Sequence, residues 1–280
     1  MNGFVNVYKE KGMTSHDVVN KVRKIFNTKK VGHTGTLDPN ATGVLPVAIN
    51  NATKVIEYME MDDKTYVAEL TLGIVTDTED VWGNVLEEKA VKVSEDEIIE
   101  AVKSFVGKQK QIPPMYSALK VKGKKLYELA REGKTIEREA RDIEIYSIRD
   151  ISVDGNRVSF TVHCSKGTYI RTLCSSIGEK LGCGGTMSGL ERVQAGCFTK
   201  DSSVTLEELE LEKYVIDLEV PLSRFEIIRL NEEQGKKYIN GVRFEVPEKD
   251  GRYRVYIDDR LFGVCVVCDG VLRSEKRIGN

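Results

Sequence analysis

Hydrophobic and polar positions follow two periods along this chain, and the periods do not alternate regularly. TYVAELTLG (65–73) alternates residue by residue, as a half-buried strand does, and FVNVY (4–8) also reads as a strand. VLPVAI (44–49) is a short apolar run, and further strands are expected near 143–151, 157–164 and 192–199. Helical spacing places Val18, Val19, Val22, Ile25 and Phe26 on one face, with Ser15 or Asp17 as the cap. Ser94-Glu95-Asp96-Glu97 is a capping box for a helix carrying Ile98, Val102 and Phe105, closed by Gly107. Ile170, Leu173, Cys174, Ile177 and Leu181 mark another helix, stopped by Gly182. Short helices are expected around Leu126–Ala130 and after Thr205-Leu206-Glu207-Glu208. Strands predominate without a βαβ rhythm, which favours an α+β fold with a mixed or antiparallel sheet.

A chain of 280 residues exceeds one typical domain. A boundary is expected near Pro221–Arg229, before a tail with one helix ending at Gly241 and β-rich runs RYRVYID and LFGVCVVC. No apolar run approaches the roughly 18 residues of a membrane helix. MNGFVNVYKEKG lacks the basic-then-apolar order of a secretory leader, so a cytoplasmic protein without a membrane partner is expected. Its six cysteines should be reduced. Cys265 and Cys268 form a C-x-x-C, but a spacing of three along a strand sends them to opposite faces. No second pair accompanies them, and the histidines are His16, His33 and His163, so no metal is expected.

The net charge of −2 conceals segregation. Residues 1–33 hold seven Lys/Arg against two acidic residues, and 108–141 hold ten against four. Residues 77–100 hold two against nine, and 201–226 two against eight. Such blocks suit an anionic ligand on one face. Solvated helix faces produce them too, so charge alone does not decide.

The segment that changes the picture is Gly32-His33-Thr34-Gly35-Thr36-Leu37-Asp38-Pro39-Asn40-Ala41-Thr42-Gly43. Three glycines, a proline and small polar side chains shape backbone for close approach rather than for a core. Pro39 holds Asp38 away from helical geometry, which fixes the direction of its carboxylate.

GHTGTLDPNATGVLP resembles the catalytic signature of the TruB family of pseudouridine synthases. Further resemblances follow in the family's order: Lys9 with Gly12-Met13-Thr14-Ser15; Lys64-Thr65-Tyr66; Ile112-Pro113-Pro114-Met115-Tyr116-Ser117-Ala118 with Lys120; Gly167-Thr168-Tyr169-Ile170-Arg171; and Leu190. One departure is Glu10, where the family usually has proline. The resemblance implies a pseudouridine-synthase-like, largely antiparallel sheet flanked by helices. It implies a catalytic domain over 1–224 with an RNA-gripping insertion at about 108–142. A small β-rich RNA-binding module of PUA type over 225–280 would follow.

The implied activity is isomerisation of uridine at position 55, in the T-loop of tRNA, by a stand-alone monomer without cofactor or obligatory protein partner. The reaction breaks the N1–C1′ bond and rejoins the base through C5, with no redox change. Asp38 is the implied catalytic carboxylate. It either adds to C6 or assists departure of the base from C1′, and the sequence leaves both open. Arg171 would keep Asp38 ionised, and Tyr66 would stack on the target base. Tyr169 and Leu190 would line the pocket, and His33 would brace the gap left by the flipped nucleotide. Lys9, Lys64, Met115, Tyr116 and Lys120 would contact RNA. A non-catalytic RNA-binding protein or chaperone is the alternative, and it would not require Asp38, Tyr66 and Arg171 together.

Overall fold

The computed structural model describes residues 2–60, 62–117, 119–121, 123–210 and 213–279, with backbone only for Glu60, Lys120 and Lys125. Ala118 lies outside the described residues. The chain forms two compact units, one of Met1–Pro39, Gly43–Met61 and Gly196–Asn280, the other of Asn40–Thr42 and Asp62–Ala195.

In the first unit, β1 (Gly3–Lys9) and β2 (Val31–His33) both pair antiparallel with β3 (Thr42–Ile49). Between β1 and β2 runs α1 (Ser15–Ile25), which buries Val18, Val19 and Val22. Its cap is Thr14, not Ser15 or Asp17. The Thr14 hydroxyl accepts from the Asp17 N–H at 3.1 Å, and the Asp17 carboxylate accepts from the Thr14 N–H at 2.9 Å. That reciprocal pair satisfies the helix end and leaves the Ser15 hydroxyl for another use. After a 3₁₀ turn (Asn50–Val55) comes α2 (Ile56–Glu60).

The second unit opens with β4 (Lys64–Leu72) and a hairpin of β5 (Ile74–Thr76) and β6 (Val85–Glu88). Next come α3 (Glu95–Lys103) and β7 (Gly107–Gln111). The expected capping box of α3 is present, but the helix stops at Ser104 and Gly107 instead starts the strand. The insertion carries β8 (Lys120–Val121), β9 (Lys124–Lys125) and α4 (Leu126–Arg131). Then follow β10 (Arg141–Asp154), β11 (Arg157–Cys164), α5 (Ile170–Lys180) and β12 (Gly185–Ala195). Five strands pair antiparallel in the order β12-β4-β11-β10-β7. Ile98 and Val102 of α3 share one buried cluster with Ile170, Leu173, Cys174 and Ile177 of α5 and with sheet residues such as Leu70 and Phe160. A Cβ on Gly178 of α5 would sit 2.1 Å from the Gly185 nitrogen of β12, so only glycine permits this packing.

The remainder of the first unit holds β13 (Phe198–Thr199) and α6 (Glu219–Leu222). Thr205 and Glu208 make their box hydrogen bonds, yet residues 206–208 form a turn and not the expected helix. A box stabilises a first turn, but propagation needs an apolar face to bury, and Glu207, Glu208 and Glu210 surround the single buried Leu209. Then come β14 (Glu226–Leu230), α7 (Glu232–Ile239), β15 (Phe244–Glu245), β16 (Gly251–Ile257), β17 (Arg260–Cys268) and β18 (Val271–Arg277). The sheet order is β14-β16-β17-β18-β15, with β14–β16 the parallel pair. Cys265 is buried and Cys268 exposed, as their spacing along β17 requires. This sheet is bound to the α2 region by polar links. Tyr58 donates its hydroxyl to Glu275 at 2.8 Å, Arg252 grips Glu275 with two N–H groups at 2.9 and 3.0 Å, and Lys276 pairs with Glu57 at 2.7 Å. The architecture is α+β, with mainly antiparallel sheets flanked by helices and a β-rich C-terminal part.

Candidate active site

In the first unit, residues spaced three apart close around both neighbours of Asp38. Lys9 is fully buried, and its Nζ donates to the main-chain oxygens of Glu10 (3.0 Å), Met13 (2.8 Å) and Pro39 (3.1 Å). Gly12, with φ of 91°, donates its N–H to the same Pro39 oxygen at 2.9 Å. Ser15 Oγ accepts from the Leu37 N–H at 2.9 Å and donates to the Leu37 oxygen at 3.2 Å. Leu37 and Ser15 are buried, whereas Asp38 stays half-buried. The backbone on each side of the carboxylate is therefore fixed. Glu10 contributes a carbonyl to this arrangement, and a carbonyl does not depend on the side chain that replaces the family proline. His33, at the end of β2, is half-buried, and its Nδ1 accepts from the Gly35 N–H at 3.2 Å.

The other site residues belong to the second unit. Tyr66 lies on β4 opposite Val162 and Arg192, half-buried, and packs with Leu190 against the core cluster. Lys64 begins the same strand and donates to the Asp62 oxygen. Burial, reinforced by the charge of Arg192, holds its ammonium below the usual lysine range. Tyr169 is the N-cap of α5 with no side-chain cap bond. Gln111 grips it instead: the Tyr169 N–H donates to Oε1 at 2.8 Å, and Nε2 donates to the Tyr169 oxygen at 3.0 Å.

Arg171 is buried in the first turn of α5. Its Nη2 donates to the Tyr116 oxygen at 2.7 Å, Nη1 donates to the Thr78 oxygen at 3.3 Å, and Nη1 lies 3.7 Å from Asp80 Oδ2. Asp80 Oδ1 in turn accepts from the Thr78 hydroxyl at 2.7 Å and the Trp82 N–H at 3.1 Å. Glu79, in the left-handed region at φ 63°, accepts from the Thr172 hydroxyl at 2.6 Å. Two successive carboxylates thus hold two successive residues of α5. Burial pushes the Glu79 carboxyl up, against the opposing Thr172 hydrogen bond and the Arg171 charge. Met115 and Tyr116 are half-buried at the root of the insertion, and the Lys120 side chain lies outside the described residues.

Sequence reasoning did not single out Asp80, Glu79 or Gln111. The first two were visible only as part of an acidic block, although Thr76-Asp77-Thr78 before Gly83-Asn84 has turn composition. Gln111 gave no signal, because its role lies in main-chain bonds to a residue distant in sequence.

Known proteins resemble this chain over nearly its whole length. Residues 23–170 match the N-terminal domain of the TruB family of pseudouridylate synthases, and 171–224 match the C-terminal domain of tRNA pseudouridylate synthase B. A tRNA pseudouridine synthase B of Clostridium perfringens is 52% identical over 274 residues, covering 94% of this chain and 93% of the relative. One from Alkaliphilus oremlandii is 53% identical over 290 residues, covering 98% and 94%. Among solved structures, an H/ACA ribonucleoprotein bound to a substrate RNA containing 2′-deoxyuridine superposes with a TM-score of 0.75 at 26% identity. It covers 99% of this chain and 85% of that one. An archaeal box H/ACA Nop10–Cbf5 complex gives a TM-score of 0.74 at 26% identity, covering 99% and 86%. Two family matches in succession, and relatives half-identical over nearly the whole length, place this chain in the TruB family of pseudouridylate synthases.

Proposed function

We propose that this chain converts a uridine of the tRNA T-loop, at position 55, into pseudouridine, with Asp38 as the carboxylate that acts on an extruded nucleotide. The observation that carries the reading is the fixed backbone on both sides of a half-buried, non-helical aspartate. A carboxylate held this way meets the reacting base without a reorganisation cost at the moment of reaction. In this reading Arg171 keeps Asp38 ionised, Tyr66 stacks on the base, and Tyr169 and Leu190 line its pocket. His33 braces the vacated space in the RNA. Lys64, Met115, Tyr116 and Lys120, with the basic insertion, meet the stem-loop. Full burial gives Lys9 a part beneath the loop and not against RNA.

The enzyme acts as a cytoplasmic monomer with no obligatory protein partner. Residues 1–224 form the catalytic domain and 225–280 a PUA-type RNA-binding module. The test is tritium release from T stem-loop RNA labelled at uracil C5. Asp38→Ala is expected to abolish release while leaving RNA affinity within about tenfold, or about 1.4 kcal/mol. Normal turnover by that variant removes Asp38 from its role.

A further inference from the structure

We infer that Ser15 is a positioning residue for the reaction, acting through Leu37 on the direction of the Asp38 carboxylate. The inference rests on the reading of Asp38 given above. Ser15 is the first residue of α1, where a hydroxyl ordinarily serves the helix end, but Thr14 and Asp17 already complete that end. Its Oγ turns instead to Leu37 and bonds both the N–H and the carbonyl of that one residue. Leu37 is 3% exposed and Ser15 2%, so water cannot take over either bond freely.

The Leu37 carbonyl belongs to the peptide that enters Asp38, so the hydroxyl sets the plane from which the carboxylate departs. On the other side Lys9 and Gly12 both hold the Pro39 oxygen. That side has two donors from separate residues, whereas the Leu37 side depends on one small hydroxyl for both of these bonds. Loss of that hydroxyl leaves the loop attached at Pro39 while the Leu37–Asp38 peptide rotates. Alanine removes both bonds and leaves a buried donor and acceptor facing a methyl group. Threonine keeps the hydroxyl at the same Cβ.

Single-turnover assays on a T stem-loop test this. Ser15→Ala is expected to lower the rate constant about 10- to 100-fold, the scale of a misplaced reacting group, while stem-loop affinity stays within about threefold. Ser15→Thr should recover most of the rate, and Ser15→Cys, with a weaker donor, should fall between. Val18→Ala, a fully buried truncation in the same helix, should lower the melting temperature without moving the rate constant. A wild-type rate for Ser15→Ala overturns the inference. So does a rate that follows melting temperature across the serine and valine variants alike. Should Ser15→Ala not fold, a Thr rate no better than the Cys rate overturns it as well. Asp38→Ala assayed in parallel separates the two ideas: activity there defeats the reading of Asp38 itself, whereas an inactive Asp38→Ala beside a fully active Ser15→Ala defeats only the positioning role.

Discussion

Arg171 donates to the main-chain oxygen of Tyr116 at 2.7 Å, so the arginine of α5 is bonded to the backbone of the insertion. With Thr78 and Asp80 also in its fork, the guanidinium joins three stretches of the second unit. A lysine has one nitrogen and cannot span these acceptors in plane. Arg171→Lys is expected to destabilise the second unit by about 1.5–3 kcal/mol, the range for hydrogen bonds to charged groups. Amide exchange at Tyr116 and Ser117 should accelerate, and single-turnover rates should fall at least tenfold. Unchanged exchange there would separate the insertion from Arg171.

Gln111 bonds both the N–H and the oxygen of the Tyr169 main chain, at a helix end with no side-chain cap, and the oxygen also accepts from the Leu173 N–H at 3.1 Å. Gln111→Ala should cost about 1–3 kcal/mol in urea unfolding, because it removes the acceptor of the Tyr169 N–H, whereas the Tyr169 oxygen keeps the Leu173 N–H. Gln111→Glu keeps the acceptor and loses the donor, so its loss should be smaller. Equal losses for the two variants would show that only the bond to the Tyr169 oxygen matters.

Lys9 places a charge inside the first unit and satisfies it with three carbonyls. Lys9→Met keeps the volume and abandons those oxygens. Pro39 still has the Gly12 N–H, so the Glu10 and Met13 oxygens lose more. A fall of about 1–3 kcal/mol is expected, measured as a lower urea midpoint. An unchanged midpoint would mean that the ammonium bonds are replaced by water.

Glu79 provides a test by pH. Burial raises its folded-state pKa above the ordinary 4.5, so its contribution to stability is full below 4.5 and is lost as pH rises through the folded value. Glu79→Gln keeps an acceptor for the Thr172 hydroxyl and cannot ionise. The melting temperature of Glu79→Gln relative to the native chain should therefore rise between pH 4 and pH 7. A difference independent of pH would show that the carboxyl has no such shift.

Much of this was legible in the chain because the signals were local. The box at Ser94 and Glu97 needs only residues three positions apart, and the apolar set from Ile170 to Ile177 needs one helix face. The same locality misled at α1, where Thr14, Ser15 and Asp17 all suit a cap and only the position of Leu37 decides which hydroxyl is spared. It misled again at Thr205, where a correct box had no apolar face behind it. The partners of Arg171 were illegible because two are carbonyls, which every residue carries, and they lie 93 and 55 positions away.

The ties between Tyr58 and Glu275, and between Glu57 and Lys276, also bear on synthesis. Nearly all of the second unit, residues 62–195, is one contiguous stretch that has been translated before the last 85 residues are made. The unit that holds Asp38 is split, and its polar seam to β18 is unmade until residues 275 and 276 have been translated. A chain cut short before that point would carry every motif of the catalytic loop and still lack the seam, which makes late truncations a sensitive probe of whether that loop matures before or after release.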